Sequence, residues 1–174
     1  MHNGNNILTF RPAAKADVAA ISRINRQHWR KFDNPRGFLL KQISDEQVMA
    51  QLDQFWVVEI NNDVAAYIEL ASIFTDYETY CWFDSMELNW ITGVLDGVMR
   101  ISQLGVDPAY QQSGAGSFAI AKLREQFPQA VFITALICKP SLNQASLAFH
   151  KKNQFRPVAF TVEGEFEKLI FLNP

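Results

Sequence analysis

The 174 residues carry 16 Lys and Arg against 18 Asp and Glu, a formal charge of −2. Nearly half are hydrophobic and 14 are Phe. That excludes a disordered chain and the basic surface that broad nucleic-acid or anionic-membrane binding requires. The length suits a single domain over residues 1–174, large enough to bury a substantial core. Cys81 and Cys138 form neither a metal-ligand spacing nor a disulfide framework, so no metal is expected and reduced thiols in a cytoplasm are the default. Met1 to Asn6 is polar, without the apolar centre of a signal peptide, and no apolar run reaches membrane-spanning length.

Ile7 to Arg11 alternates as a first strand, and Pro12 ends it. Lys15 to His28 carries Val18, Ile21 and Ile24 at helical spacing. Asn34-Pro35-Arg36-Gly37 is a turn. Ser44 to Leu52 is a second helix, with Ser44 and Gln47 spaced as a capping box. Phe55 to Ile60 and Val64 to Ile73 are strands joined by Asn61-Asn62-Asp63, residues that tolerate positive φ.

Thr75 to Gly93 is irregular and rich in large rings: Tyr77, Tyr80, Trp82, Phe83 and Trp90. Asp96 to Val106 is the central strand, Gly114 to Phe127 a helix, Ala130 to Ile137 a buried strand and Asn143 to Lys152 a helix. Phe155 to Val162 and Phe166 to Leu172 close the chain around Glu163-Gly164. The order predicts an α/β (α+β) domain, a mixed sheet of about seven strands with helices on both faces.

The segment Val106-Asp107-Pro108-Ala109-Tyr110-Gln111-Gln112-Ser113-Gly114-Ala115-Gly116 links the central strand to the next helix. Strand, glycine turn and helix aim unpaired N–H groups at an anion, and the helix dipole adds partial positive charge. Gly114 and Gly116 leave room for close approach to the main chain. The dinucleotide fingerprint fails, since Ala119 is a weak third member and Gln129 to Ile137 holds no acid. The Walker pattern fails for lack of Gly-Lys-Ser/Thr. The pattern V-x-P-x-Y-[RQ]-x-x-G-x-[GA] fits at every specified position.

On these residues the chain resembles the GNAT superfamily of acyl-CoA-dependent N-acetyltransferases. A second stretch, Asn143 to Phe155, resembles that family's later motif at Asn143, Ser146, Phe149 and Phe155. His150 stands where the family often has Tyr, and Gln154 where it usually has Gly. Asn153 is a candidate for the left-handed residue that ends this helix. The order of elements is that of the GNAT fold, so the likeness covers nearly the whole chain. The ring-rich stretch also resembles a bacterial branch of acetyltransferases of undefined substrate.

The resemblance implies acetyl-CoA as co-substrate and transfer of its acetyl group to a primary amine of a small molecule or peptide by direct attack. It assigns the pyrophosphate to Gln111, Gln112, Ser113, Gly114, Ala115, Gly116 and Ser117. The pantetheine arm falls to main-chain groups of Leu104 and Val106, with Asn143 and Phe149 beside it. A main-chain N–H near Leu104 becomes the oxyanion donor. Positioning supplies much of the rate, but a charged alkyl amine still needs a base. His150 is the first candidate acid, and Asp96, with Asp84, a candidate base. Tyr110 is assigned to packing. Tyr77, Tyr80 and Trp82, joined by Trp29 and Phe32, are expected to wall the acceptor pocket, or else to cap the sheet.

Two other readings stand beside this one. One is a non-catalytic acyl-CoA-binding sensor or interaction module. The other is an interaction domain using the ring-rich segment as a contact patch. The resemblance implies an amine acceptor and a monomer or homodimer, and the charge argues against nucleic acid or a membrane as partner.

Overall fold

The strands and helices follow where the side chains can be buried. The computed structural model describes residues 7–71 and 77–173. In chain order these form β1 (Leu8–Pro12), α1 (Val18–His28), α2 (Asp45–Ala50), β2 (Phe55–Ile60), β3 (Asp63–Ala71), β4 (Cys81–Trp82), α3 (Ser85–Gly93), β5 (Val98–Val106), α4 (Ala115–Gln126), β6 (Val131–Lys139), α5 (Gln144–Lys152), β7 (Arg156–Glu163) and β8 (Phe166–Asn173). The fold is mixed α/β, with β5 and β6 parallel and the remaining recorded pairs antiparallel. Eight strands, not about seven, pair among the described residues. The extra one is β4, two residues long, which pairs through Cys81↔Phe160 and Trp82↔Ala159.

The chain divides into two compact units, and β5 contributes to both. The first holds residues 1–30, 39–69 and 103–126, with strand order β1-β2-β3-β5. Its core gathers Ile21, Ile24, Val48, Phe55, Val57 and Tyr67. Each apolar side chain buried this way adds about 1.5–3 kcal/mol. Val18, Ile21 and Ile24 are the buried stripe expected of α1. Ser44 and Gln47 form the capping box of α2, with Ser44 N–H donating to Gln47 Oε1 at 2.9 Å. Asn61 and Asn62 both take positive φ, 54° and 72°, as the hairpin requires.

The second unit holds residues 31–38, 70–102 and 127–174, with strand order β5-β6-β8-β7-β4. Its core gathers Tyr80, Ile91, Val98, Val131, Ile133, Val158, Ile170 and Leu172. The stretch read as irregular contains a helix, α3. Its N-terminus is set by Asp84, whose Oδ1 accepts the Met86 N–H at 2.8 Å. Only Ile91 of α3 is buried, so the segment carries no strong apolar period. Asp84, a candidate base, therefore serves as a helix cap. Residues 72–73 of the expected strand and 75–76 of the ring-rich stretch lie outside the described residues.

Candidate functional site

The first unit carries the anion loop. Asp107 N–H donates to Ala65 O at 2.8 Å, tying the end of β5 to β3. Main-chain groups alternate in direction along a strand, which turns those of Leu104 and Val106 to the other edge of β5. Asp107 fixes the turn twice more, accepting the Ala109 N–H at 2.9 Å and pairing with Arg23 at 2.5 Å. Tyr110 donates its hydroxyl to Asp63 at 3.0 Å, and that bond raises the phenol's pKa. It is a tether between the loop and the β2–β3 hairpin.

Within the loop, Ser113 N–H is spent on Tyr110 O at 3.2 Å and Ala115 N–H on Ser113 Oγ at 3.3 Å. The amides of Gln112, Gly114 and Gly116 have no hydrogen-bond partner among the described residues. Gln112 and Gly114 take positive φ, 67° and 91°. A Cβ added at Gly114 would meet nothing within 4 Å. Glycine is needed there for its φ, not to relieve a contact within the chain. Ala115 and Gly116 are buried as α4 begins. Unpartnered amides at the start of a twelve-residue helix fit a diphosphate.

The β5–β6 ladder runs from Val98↔Val131 to Ile101↔Thr134, where Thr134 Oγ1 donates to Ile101 O at 3.0 Å. β5 continues to Val106 and β6 to Lys139. One group on that stretch is already used: Val106 O lies 2.7 Å from His28 Nε2. That contact takes one of the carbonyl's two lone pairs, and Leu104 and Val106, the residues expected to meet pantetheine, are both half-buried.

In the second unit, Asn143 caps α5. Its Oδ1 accepts the Ser146 N–H at 3.1 Å and its Nδ2 donates to Phe38 O at 3.0 Å. Both ends of the amide are engaged and the residue is buried. Helix capping is thus one role of this residue, leaving the second hydrogen of its Nδ2 uncommitted by these two bonds. Phe149 is half-buried, edge-on to the His150 ring at 5.6 Å.

His150 is buried between Phe149, Phe155 and Phe171. Its Nδ1 donates to Ser146 O at 2.6 Å. Burial lowers its pKa, and the bond to Ser146 only partly opposes this. A neutral ring with its proton on Nδ1 has no proton on Nε2 to give. The acid role expected of His150 does not fit this packing. Asp96 lies exposed in the single turn before β5, at the opposite end of the strand from the loop. Positive φ in the next loop falls on Gln154, at 64°, and not on Asn153. Asn153 instead donates its side-chain amide to Phe149 O at 2.8 Å.

Tyr77, Tyr80 and Trp82 line one cavity of about 420 Å³, with Glu78 and Asn89 on its wall. Trp82 Nε1 donates to Tyr77 O at 3.0 Å. The same rings also cap the second unit's core, Tyr80 within it and Tyr77 and Trp82 packed against it. Trp29 ends α1 in the first unit and is 39 % exposed. Phe32 meets Phe38 edge-on at 4.9 Å.

A polar cluster in the first unit went unread in the sequence. Asn25 Nδ2 donates to Gln103 Oε1 at 2.7 Å and to Tyr67 Oη at 3.0 Å, and Tyr67 donates to Gln103 Oε1 at 2.9 Å. Lys41 pairs with Glu69 at 2.7 Å. The signal available was a polar residue inside each apolar strand run, Glu69 in β3 and Gln103 in β5. Among the described residues no group of three His, Cys, Asp or Glu could hold a metal ion, and no helix is long and apolar enough to cross a membrane.

The description "Acetyltransferase (GNAT) family" matches residues 19–155. No curated protein matches the chain. Among solved structures, smu.2055 from Streptococcus mutans UA159 superposes with a TM-score of 0.69 at 14% identity, over 95% of this chain and 98% of that one. The ribosomal-protein-S18-alanine N-acetyltransferase from Escherichia coli gives 0.65 at 13% identity, over 97% and 94%. yncA from Salmonella typhimurium, with its cofactor acetyl-CoA, gives 0.59 at 19% identity, over 95% and 92%. At these identities the likeness is one of fold.

Proposed function

The chain belongs to the GNAT acetyltransferase family, and from that premise we propose that it moves the acetyl group of acetyl-CoA onto a primary amine of a small molecule or peptide. The observation that carries the reading is the set of unpartnered amides at Gln112, Gly114 and Gly116. Gln111, Ser113, Ala115 and Ser117 complete the loop around the pyrophosphate. Main-chain groups of Leu104 and Val106, past the last β5–β6 pair, take the pantetheine arm. Tyr77, Tyr80 and Trp82 supply an acceptor pocket in which rings face a cationic or aromatic amine.

Acetyl-CoA brings the activated thioester, and the chain supplies position and polarity. Amides fixed before the ligand arrives cost no reorganisation when charge develops. A main-chain N–H near Leu104 faces the thioester oxygen in this reading. The leaving thiolate, with a pKa of about 8.5 if it resembles cysteine, needs little acid help. His150 is therefore dispensable to the chemistry.

A melting experiment tests binding first. Acetyl-CoA at about one hundred times its Kd adds about 2.7 kcal/mol of stability, a rise of roughly 5–10 °C for a chain this size. A panel of small amines and peptide N-termini, read by release of free thiol, then tests transfer. A rise in Tm with no thiol released from any acceptor would favour the sensor reading.

A further inference from the structure

Glu69 and Gln103 are 3% and 6% exposed. Each keeps one buried atom without a hydrogen-bond partner: Glu69 Oε2 and Gln103 Nε2. Turning the Gln103 amide over does not remove the problem. Its Oε1 already receives Asn25 Nδ2 and the Tyr67 hydroxyl, so the nitrogen must stay on the other side. A buried donor and a buried acceptor left open each cost about 1–3 kcal/mol unless something fills them. The two belong to one cluster. β3 and β5 are neighbours in the sheet, Tyr67 is bonded to Gln103, and Tyr67 and Glu69 share one face of β3, two residues apart.

We propose that Glu69 is the proton acceptor of the transfer reaction, acting through water held at Glu69 Oε2 and Gln103 Nε2. This rests on the acetyl-transfer reading above. The acceptor's ammonium gives one proton to that water as the water gives one to Glu69 Oε2. The amine lone pair then forms the C–N bond, the C–S bond breaks, and the thiolate takes the second amine proton. Glu69 returns its proton to solvent beside Lys41, whose side chain is half exposed and paired to Oε1. Gln103 precedes Leu104 on β5, the residue assigned to pantetheine, so the water stands next to the reacting stretch of the strand. Asn25 and Tyr67 hold Gln103 and so act as positioning residues.

The test compares two small acceptors at pH 7: methylamine, almost wholly charged as an alkyl amine with a pKa near 10.4, and hydroxylamine, already neutral. Glu69→Gln should lower kcat/KM for methylamine by about 100-fold or more and leave hydroxylamine within about threefold. The Tm rise with acetyl-CoA should be kept. If Glu69→Gln does not fold, Glu69→Asp carries the comparison, and its shorter arm should slow methylamine more than hydroxylamine. An equal loss with both amines overturns the assignment, since a purely structural residue makes no such distinction. So does a wild type that binds acetyl-CoA and transfers to neither amine. Failure of acetyl-CoA to raise Tm removes the broader reading instead.

Discussion

The ring of Tyr67 passes so close to Gly105 that a Cβ added at Gly105 would lie 2.5 Å from Tyr67 Cε1. Ile24 Cγ2 stands at 3.2 Å from the same point. Tyr67 is fully buried and its hydroxyl is committed to Gln103, so the ring has nowhere to retreat. Gly105 is therefore required by packing, one residue before the end of β5 and beside the stretch assigned to pantetheine.

Gly105→Ala is expected to cost about 1–3 kcal/mol by overpacking. Urea unfolding should show a lower midpoint with an unchanged slope. Because Tyr67 would push on Gln103, the variant should also lose turnover while binding of acetyl-CoA at the loop persists. A midpoint equal to wild type would mean that the ring moves freely, contrary to the packing described.

Arg11 binds two carboxylates at once. It donates to Asp17 at 2.6 Å and 3.0 Å, and it also pairs with Glu59. Arg11 holds both acids below their ordinary values of 3.8 and 4.5, with added help from the Ala14 N–H on Asp17 and from Thr9 on Glu59. Acids depressed in the folded state give stability that is complete above about pH 5 and lost as pH falls through their folded values. Arg11 is about one-third exposed, so the effect is about 1–2 kcal/mol. Unfolding free energy measured from pH 7 to 2 should fall more gently below pH 4.5 in Arg11→Met than in wild type.

The local features were legible because they are written in neighbouring residues. Val18, Ile21 and Ile24 repeat at the helical period, Asn61 and Asn62 accept left-handed backbone, and the loop after β5 carries its glycines in order. The Glu69–Gln103 cluster was not legible, since Asn25 meets Gln103 across 78 positions and Tyr67 across 42. No local pattern announces such a meeting. The capping roles of Asp84 and Asn143 were hidden for a related reason: Asp and Asn are both polar functional groups and helix caps, and the bonds to Met86 and Ser146 show the capping role.

Gln154 gives a test of the same point. It holds φ of 64° where the family usually has Gly, a conformation that costs an L-residue roughly 1 kcal/mol. Its N–H donates to Lys151 O at 3.1 Å, a bond any residue keeps. Gln154→Gly should raise stability by about 0.5–1 kcal/mol, read as a higher urea midpoint. A fall would show that the Gln154 side chain contributes more than the strain it brings.

His150 separates stability from chemistry. Burial among three Phe rings keeps the imidazole neutral, with a pKa below the ordinary 6.5. The unfolded chain then binds a proton that the folded chain refuses. Stability is present above about pH 6.5 and falls as pH drops toward the folded value. His150→Phe removes this loss, so its stability should stay flat from pH 7 to 5.5 while that of wild type declines. The lost bond to Ser146 O costs about 0.5–1.5 kcal/mol at pH 7. Turnover tells the other half. If the ring is only packing, kcat in His150→Phe should stay within about threefold of wild type and keep its pH profile. A drop of a hundredfold or more would restore His150 as a proton donor and require its ring to turn out of the aromatic nest during the reaction.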